Sequence, residues 1–291
     1  MRASVRLARA QSNVTSRIRQ LETELDVQLF SRAGKHMTLT QNGEQLFGYA
    51  SRILTLAAEA RDALNPASAA GLAGRLRIGS MESSAATRLP ALLSGYHGKW
   101  PEVALEITIG TSASLVDEVA RHKLDCAFVA ITDAGAHSSA ALALAARGLQ
   151  ATPVCTEELV LVLPPNHPPV STPADLKVAT LAVFPAGCTY RCVLEHWLHG
   201  VPMQQAWHVS EQASYHSILT CVAAGSCFTL CPRSILNLQR VPMDVRTQTI
   251  TSIDTYLVSR TAHPSAALEA LLGALRAGRP PEPRTLGMAA A

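Results

Sequence analysis

The sequence predicts an α/β protein: a two-lobed α/β body behind a small basic head and a long connecting helix. Three observations predict it. From Gly74 onward, strand-like and helix-like segments alternate, the pattern of βαβ units on parallel sheets. Basic residues crowd the start: Arg2, Arg6, Arg9, Arg17, Arg19, Arg32 and Lys35 stand against Glu22, Glu24 and Asp26, a local +4 in a chain whose net charge is +3. Between head and body, apolar residues recur at heptad spacing. The length, 291 residues, suggests about two domains. With 48% hydrophobic and 16% charged residues, a disordered chain is excluded. No long uncharged apolar run predicts a membrane helix, and the N-terminus lacks the apolar centre of a signal peptide, so a cytoplasmic protein is expected. Seven scattered cysteines read as core thiols rather than a disulfide framework.

In the head, Val14, Ile18, Leu21 and Leu25 recur at helical spacing and predict one apolar face. Ser12 is the expected N-cap, with Ala10-Gln11 as a turn after a short helix over residues 5–8. Asn13, Ser16, Arg17 and Gln20 fall on the opposite face, where such side chains reach base edges and phosphates. Residues 31–36 make a basic turn and 37–40 alternate like a strand, together the pattern of a wing. Leu46, Ala50, Ile53, Ala57, Ala60 and Leu64 then form an a/d seam on a helix that starts after Gly43 and stops at Asn65-Pro66. Small residues follow as a hinge.

In the body, strands are expected at 75–79, 103–109, 126–131, 159–163, 180–184, 206–209 and 227–231. Helices are expected at 85–95, 114–121, 192–198 and 217–223. Two such groups, broken near 133–155, predict two lobes around a cleft. Ligands of such folds bind beyond the carboxyl ends of strands. The first strand leads into Ser80, Met81, Glu82 and Ser83, where hydroxyls and helix-start N–H groups suit an anion; the bland alternative is a pair of helix caps. Ala130 and Thr132 would close the second wall, and Phe184, Gly187, Glu211, Ser214 and Tyr215 face them from the other lobe. Glu82 and Glu211 would suit an ammonium group, hence an amino acid or amine.

The stretch AQSNVTSRIRQLETELDVQLFSRAGKHMTLTQNGEQLFGYASRIL resembles the winged helix-turn-helix of LysR-type transcriptional regulators, matching at Gln11, Val14, Thr15, Ile18, Leu21-Glu22, Leu25, Leu29-Phe30, Arg32, Leu39-Thr40 and Gly43. RIGSMESSAATRLPALL and LDCAFVA resemble the family's effector-binding domain, which is built like periplasmic binding proteins. The resemblance implies DNA contacts from Gln11, Ser12, Asn13, Thr15, Ser16, Arg17, Arg32 and Lys35. It implies a homodimer or homotetramer paired through the linker helix, and an effector held between the lobes, a carboxylate or amino acid by the residues above. The implied layout is a DNA-binding head over 1–42, a linker helix over 43–66 and a hinge over 67–74. The effector domain spans 75–278, with lobe I at 75–150 and 253–278 and lobe II at 151–252, and 279–291 is a disordered tail. The family's first helix has no counterpart before Ser4. The alternative is therefore a small-molecule binding protein whose shortened head no longer binds DNA.

Enzyme, metal and cofactor readings find little support. Cys188, Cys192 and His196 share a helical spacing but lack a fourth ligand for zinc. Cys221, Cys227 and Cys231 lie in apolar stretches. The histidines follow no Ser/His/Asp grammar, and no G-x-S-x-G or phosphate loop occurs.

Overall fold

A computed structural model describes residues 10–33, 36–63, 72–132, 138–199, 207–240, 242–262 and 264–277. The expected helix at 5–8, Lys35, Leu64 and the tail at 279–291 lie outside the described residues. The chain divides into two compact units, Met1–Ala60 and Arg61–Ala291.

The first unit opens with α1, Gln11–Leu25. Its N-cap is Ala10, in extended backbone and with no side-chain cap, so the assignment of Ser12 as cap and Gln11 as turn is corrected: both sit in the first helical turn. Only the N-terminal half of the apolar stripe packs. Val14 and Ile18 are half-buried, whereas Leu21 and Leu25 are 39% and 45% exposed. The helix ends on Asp26 in the left-handed region (φ 52°). The carboxylate of Glu22 then accepts the N–H groups of Leu29 (2.8 Å) and Phe30 (3.2 Å), tying the helix to the start of the hairpin.

That hairpin pairs β1, Phe30–Ala33, antiparallel with β2, His36–Leu39. The basic turn expected at 31–36 is therefore mostly strand. Thr40 starts the next helix, α2, Gln41–Ala63: its hydroxyl accepts the N–H of Gly43 (3.0 Å) and donates to the Gln28 carbonyl (2.6 Å). The helix begins before Gly43 rather than after it. A Cβ on Gly43 would lie 2.0 Å from the Leu29 carbonyl oxygen, so only glycine admits this crossing of helix and hairpin.

The second unit is a mixed sheet rather than two parallel ones. Its strands are β3 (Gly74–Ser80), β4 (Val103–Ile109), β5 (Cys126–Ile131), β6 (Leu149–Leu163), β7 (Thr180–Val183), β8 (His208–Glu211), β9 (Thr229–Pro232) and β10 (Arg246–Arg260). The main sheet runs β4-β3-β5-β10-β6-β9, and β7-β8 forms a parallel pair joined to it by the bridge Leu181↔Phe228. β3 is parallel to β4 and β5, whereas the two 15-residue strands β6 and β10 are antiparallel from Leu149↔Arg260 to Leu163↔Arg246. These two strands cross the expected lobe boundaries at 150/151 and 252/253 without interruption. Their register slips between Thr249 and Thr251 and between Thr255 and Tyr256, where bulges let a strand bend from one lobe into the other.

Helices cover both faces of the sheet. The expected helix at 85–95 is two: α3, Glu82–Thr87, and α4, Leu89–Lys99, broken at Arg88, because Pro90 has no N–H to donate to the Ala86 carbonyl and its ring crowds that turn, so it fits only in the first turn of a new helix. The others are α5 (Ser112–Ala120), α6 (Ser139–Ala146), α7 (Thr189–His199), α8 (Tyr215–Ala223), α9 (Arg233–Asn237) and α10 (Ala266–Ala277). In lobe I, α4 and α10 bury Leu89, Leu93, Tyr96, Leu268 and Leu271 against Leu76, Ile78 and Phe128. α5 packs Leu115 and Val119 on the opposite face. In lobe II, Leu194 and Leu198 lie under one face, with Ile218, Leu219 and Val222 under the other.

Candidate functional site

Two regions concentrate function-bearing side chains, one in each unit. In the first, Gln11, Ser12, Asn13, Ser16 and Arg17 are all exposed on α1. Thr15 is half-buried and its hydroxyl donates to the Gln11 carbonyl (3.0 Å), which occupies it within the helix. Arg17 leans on Gln20 (3.4 Å), itself bonded to Glu24 (2.9 Å), so the basic side chain lies along the helix surface. Arg32 stands opposite Met37 in the hairpin, beside the Ser31–Thr38 hydroxyl pair at 2.8 Å. A polar helix face followed by a two-stranded wing presents hydrogen-bonding groups of the kind that contact base edges and phosphates. On α2, Leu46 is half-buried; Ala50, Ile53, Ala57 and Ala60 are exposed, as are Phe47, Tyr49, Leu54 and Leu56, with Ile53 at 67% and Leu54 at 70%. An apolar surface of that breadth marks a contact for another polypeptide.

In the second unit, the residues expected to line a cleft do converge on the junction of the lobes, but mostly by touching one another. Ser80 is fully buried and its hydroxyl donates to the Met81 carbonyl (2.8 Å), so it points inward and not, as expected, outward. The thioether of Met81 accepts from the Ser112 hydroxyl and the Ala130 N–H, both at 3.2 Å, while Met81 itself packs with Leu159, Leu161 and Tyr190. The carboxylate of Glu82 reaches across to accept the Tyr215 N–H (3.1 and 3.2 Å) at the start of α8. Burial pushes its carboxyl above the ordinary range, against the backbone N–H and His216, which pull it down. Ser83 faces the Tyr190 phenol at 3.4 Å. From the other side, the Thr189 hydroxyl donates to the Ala130 carbonyl (2.9 Å), and the Ala113 N–H to the Gly187 carbonyl (3.1 Å).

The remaining expected residues have other duties. Ser214 is the N-cap of α8, its hydroxyl accepting the Ser217 N–H. Tyr215 is buried against Phe184, ring centroids 4.9 Å apart. Glu211 is exposed and paired with Arg191 (2.6 Å), and Thr132 is exposed. Glu82 and Glu211 thus each have a partner of their own and do not form an acidic pair for an amine.

Sequence reasoning missed a second set at the same junction. Arg88, in the break between α3 and α4, donates Nε and Nη2 to Oε1 of buried Glu157 on β6, at 2.9 and 2.7 Å. Cys155, two residues earlier and so on the same face of the strand, lies 3.9 Å from that oxygen. The one available signal was a charge at each of two interruptions: Arg88 just before Pro90, and Glu157 just before an apolar run.

Comparisons with known proteins agree with this architecture. Residues 1–44 match the profile described as bacterial regulatory helix-turn-helix protein, lysR family, and residues 69–279 match the LysR substrate binding domain. The chain is 36% identical over 252 residues to the HTH-type transcriptional regulator GltR of Bacillus subtilis (strain 168), covering 86% of this chain and 79% of that one. It is 32% identical over 290 residues to YofA of Bacillus velezensis, covering 95% and 92%. Among solved structures, full-length OxyR from Pseudomonas aeruginosa aligns with a TM-score of 0.67 at 21% identity, covering 94% and 88% of the two chains. CbnR in complex with its target DNA aligns with a TM-score of 0.63 at 22% identity, covering 94% and 92%; both likenesses concern the fold. With a helix-turn-helix head, a two-lobed sensor fold and relatives that are transcriptional regulators rather than enzymes, the chain belongs to the LysR family of DNA-binding transcriptional regulators.

Proposed function

We propose that this regulator reads DNA with the exposed face of α1 and the β1–β2 wing, and that a small-molecule effector held at the junction of its two lobes controls it. Gln11, Ser12, Asn13, Ser16 and Arg17 contact the major groove, Thr15 supports them, and Arg32 and Lys35 hold the phosphate backbone. The exposed stripe Ala50, Ile53, Ala57 and Ala60, continuing from Leu46 towards Leu64, pairs two copies into a homodimer, alone or doubled into a tetramer. Two heads then meet two half-sites of an operator, in the cytoplasm where the DNA is.

The observation that carries the effector reading is the set of polar contacts crossing from one lobe to the other: Glu82 to Tyr215, Ser83 to Tyr190, Thr189 to Ala130 and Ala113 to Gly187. A ligand that inserts there exchanges these contacts for its own and changes the angle between lobes, which shifts a pre-existing balance of states. The alternative, a head that no longer binds DNA, is disfavoured by the helix-turn-helix match over residues 1–44. A gel shift on the chain's own promoter region, with and without candidate effectors, tests both halves. A shifted band whose mobility responds to an effector supports the reading, and no band at low salt rejects the DNA half.

A further inference from the structure

The polar face of α1 carries side chains that hold one another. Asn13, Arg17, Gln20 and Glu24 recur at helical spacing and form one stripe, opposite Val14, Ile18, Leu21 and Leu25. Gln20 donates an amide N–H to Oε1 of Glu24 (2.9 Å), and Nη1 of Arg17 donates to Oε1 of Gln20 (3.4 Å). The pattern fixes how the Gln20 amide is turned. A guanidinium only donates and a carboxylate only accepts, so the amide oxygen must face Arg17 and the nitrogen Glu24. Side chains on a helix lean towards its N-terminus. Glu24 therefore backs Gln20, and Gln20 backs Arg17, towards the end of a recognition helix that meets the bases. A carboxylate on a face turned to a polyanion is unfavourable in itself; its bond to Gln20 gives Glu24 a duty there.

An amide engaged on both sides is not free to pair with adenine, the base whose N6 and N7 match a glutamine. Arg17 keeps Nε, Nη2 and the second hydrogen of Nη1, which make no other hydrogen bond among the described residues. Two such donors side by side match O6 and N7 of guanine. From the middle of the helix only a long side chain reaches the bases. Ordering a long side chain costs entropy on binding, and the bond to Gln20 removes part of that cost before DNA arrives. We infer that Arg17 reads a guanine in each half-site, and that Gln20, held by Glu24, is a positioning residue for it rather than a reader of bases. This rests on the reading that α1 lies in the major groove.

The test starts from duplexes that the full chain selects out of a random pool, with binding read by fluorescence anisotropy. In a selected duplex each guanine is replaced in turn by 7-deazaguanine, which lacks N7. One guanine per half-site should prove sensitive, with a loss of about tenfold for the missing bond, and Arg17→Ala should erase that sensitivity. Gln20→Ala should weaken binding to the selected duplex about two- to tenfold, the scale of ordering one long side chain, and shrink the 7-deaza effect, with random DNA bound as before. Glu24→Lys separates positioning from charge. It adds attraction to any DNA, so random duplex should be bound more tightly. A lysine only donates, however, so the Gln20 amide turns its nitrogen to Arg17 and the 7-deaza effect should shrink. Glu24→Gln, whose amide oxygen still accepts from Gln20, should keep the effect. Every side chain changed is exposed, so melting should not move. A 7-deaza effect that survives Arg17→Ala, or that Glu24→Lys leaves whole, overturns the inference. So does a duplex whose sensitivity to 7-deazaadenine is lost in Gln20→Ala, since Gln20 then reads the base itself. If random DNA is bound and no duplex is preferred, the inference alone fails. If no DNA is bound even at low salt, the groove reading of α1 falls with it.

Discussion

Gly43 and Glu82 show how one side chain decides what the structure around it tolerates. At Gly43 there is no room for a Cβ, because the Leu29 carbonyl oxygen sits 2.0 Å from where it would go. Gly43→Ala should therefore push the hairpin off α2, at a cost of ~1–3 kcal/mol by the usual scale of overpacking. A gel shift should show weakened DNA binding, with melting of the effector domain unaltered; undiminished DNA binding would refute the steric account. Glu82 is different, because its position costs something only when it is charged. Burial raises its carboxyl above the ordinary value, so its contribution to stability is greatest at acid pH and declines as pH rises through the raised value. Glu82→Gln should raise the melting temperature at pH 7 and give progressively less gain as pH falls through the carboxyl's titration. A loss at pH 7 that fades as pH falls through the carboxyl's titration would mean the Tyr215 N–H bond, not desolvation, dominates. The sequence placed Glu82 at the junction, but its partner 133 residues away is invisible to any local pattern.

Among the elements, strongly patterned ones were legible and weakly patterned ones were not. Val103–Ile109 and Cys126–Ile131 appear with the bounds expected of them, since alternation in one and an unbroken apolar run in the other identify strands without tertiary information. β6 and β10 escaped over most of their length. Pro153 and the polar run at 247–252 break any alternation, and what makes these segments strands is their pairing with each other across the chain. The α2 helix was legible because its period is local. Ile53→Asp puts a carboxylate in an exposed apolar stripe, so it should convert the proposed dimer into monomers or soluble aggregates while the isolated fold persists. Light scattering at micromolar concentration checks it, and a wild-type chain that is already monomeric there removes the pairing role. On α1, Asn13→Ala should cost ~1–3 kcal/mol in discrimination between operator and random DNA. Arg32→Ala in the wing should weaken both and lower the salt slope by about one. The reverse assignment of effects, measured by fluorescence anisotropy across salt concentrations, would exchange the roles of helix and wing.

For the whole effector domain, the decisive feature is that the two lobes share one sheet and are also fastened by side-chain and backbone contacts across their junction. The strands run unbroken from one lobe to the other and the fastenings hold one arrangement of the lobes, the arrangement that the proposed effector would release or change. Gly187 tests this division. Its φ of +91° suits glycine, and a Cβ there would meet the Thr111 hydroxyl at 2.9 Å and the Ala113 Cβ at 3.1 Å. Its carbonyl accepts the Ala113 N–H, one of the bonds that hold lobe II to lobe I. Gly187→Ala strains the backbone by ~1–3 kcal/mol and wedges the lobes apart at that point, yet touches neither lobe's core. Hydrogen exchange should then quicken at the Ala113 and Tyr215 amides, both donated across the junction, while amides of β5 and α10 inside lobe I keep their protection. The response of DNA binding to an effector should weaken with it, because the variant already lies part-way along the motion the ligand drives. If the Ala113 amide instead stays as protected as in the wild type, the contact at Gly187 is local packing and the fastening of the lobes lies with the other contacts across the junction, those of Glu82, Ser83, Arg88 and Thr189.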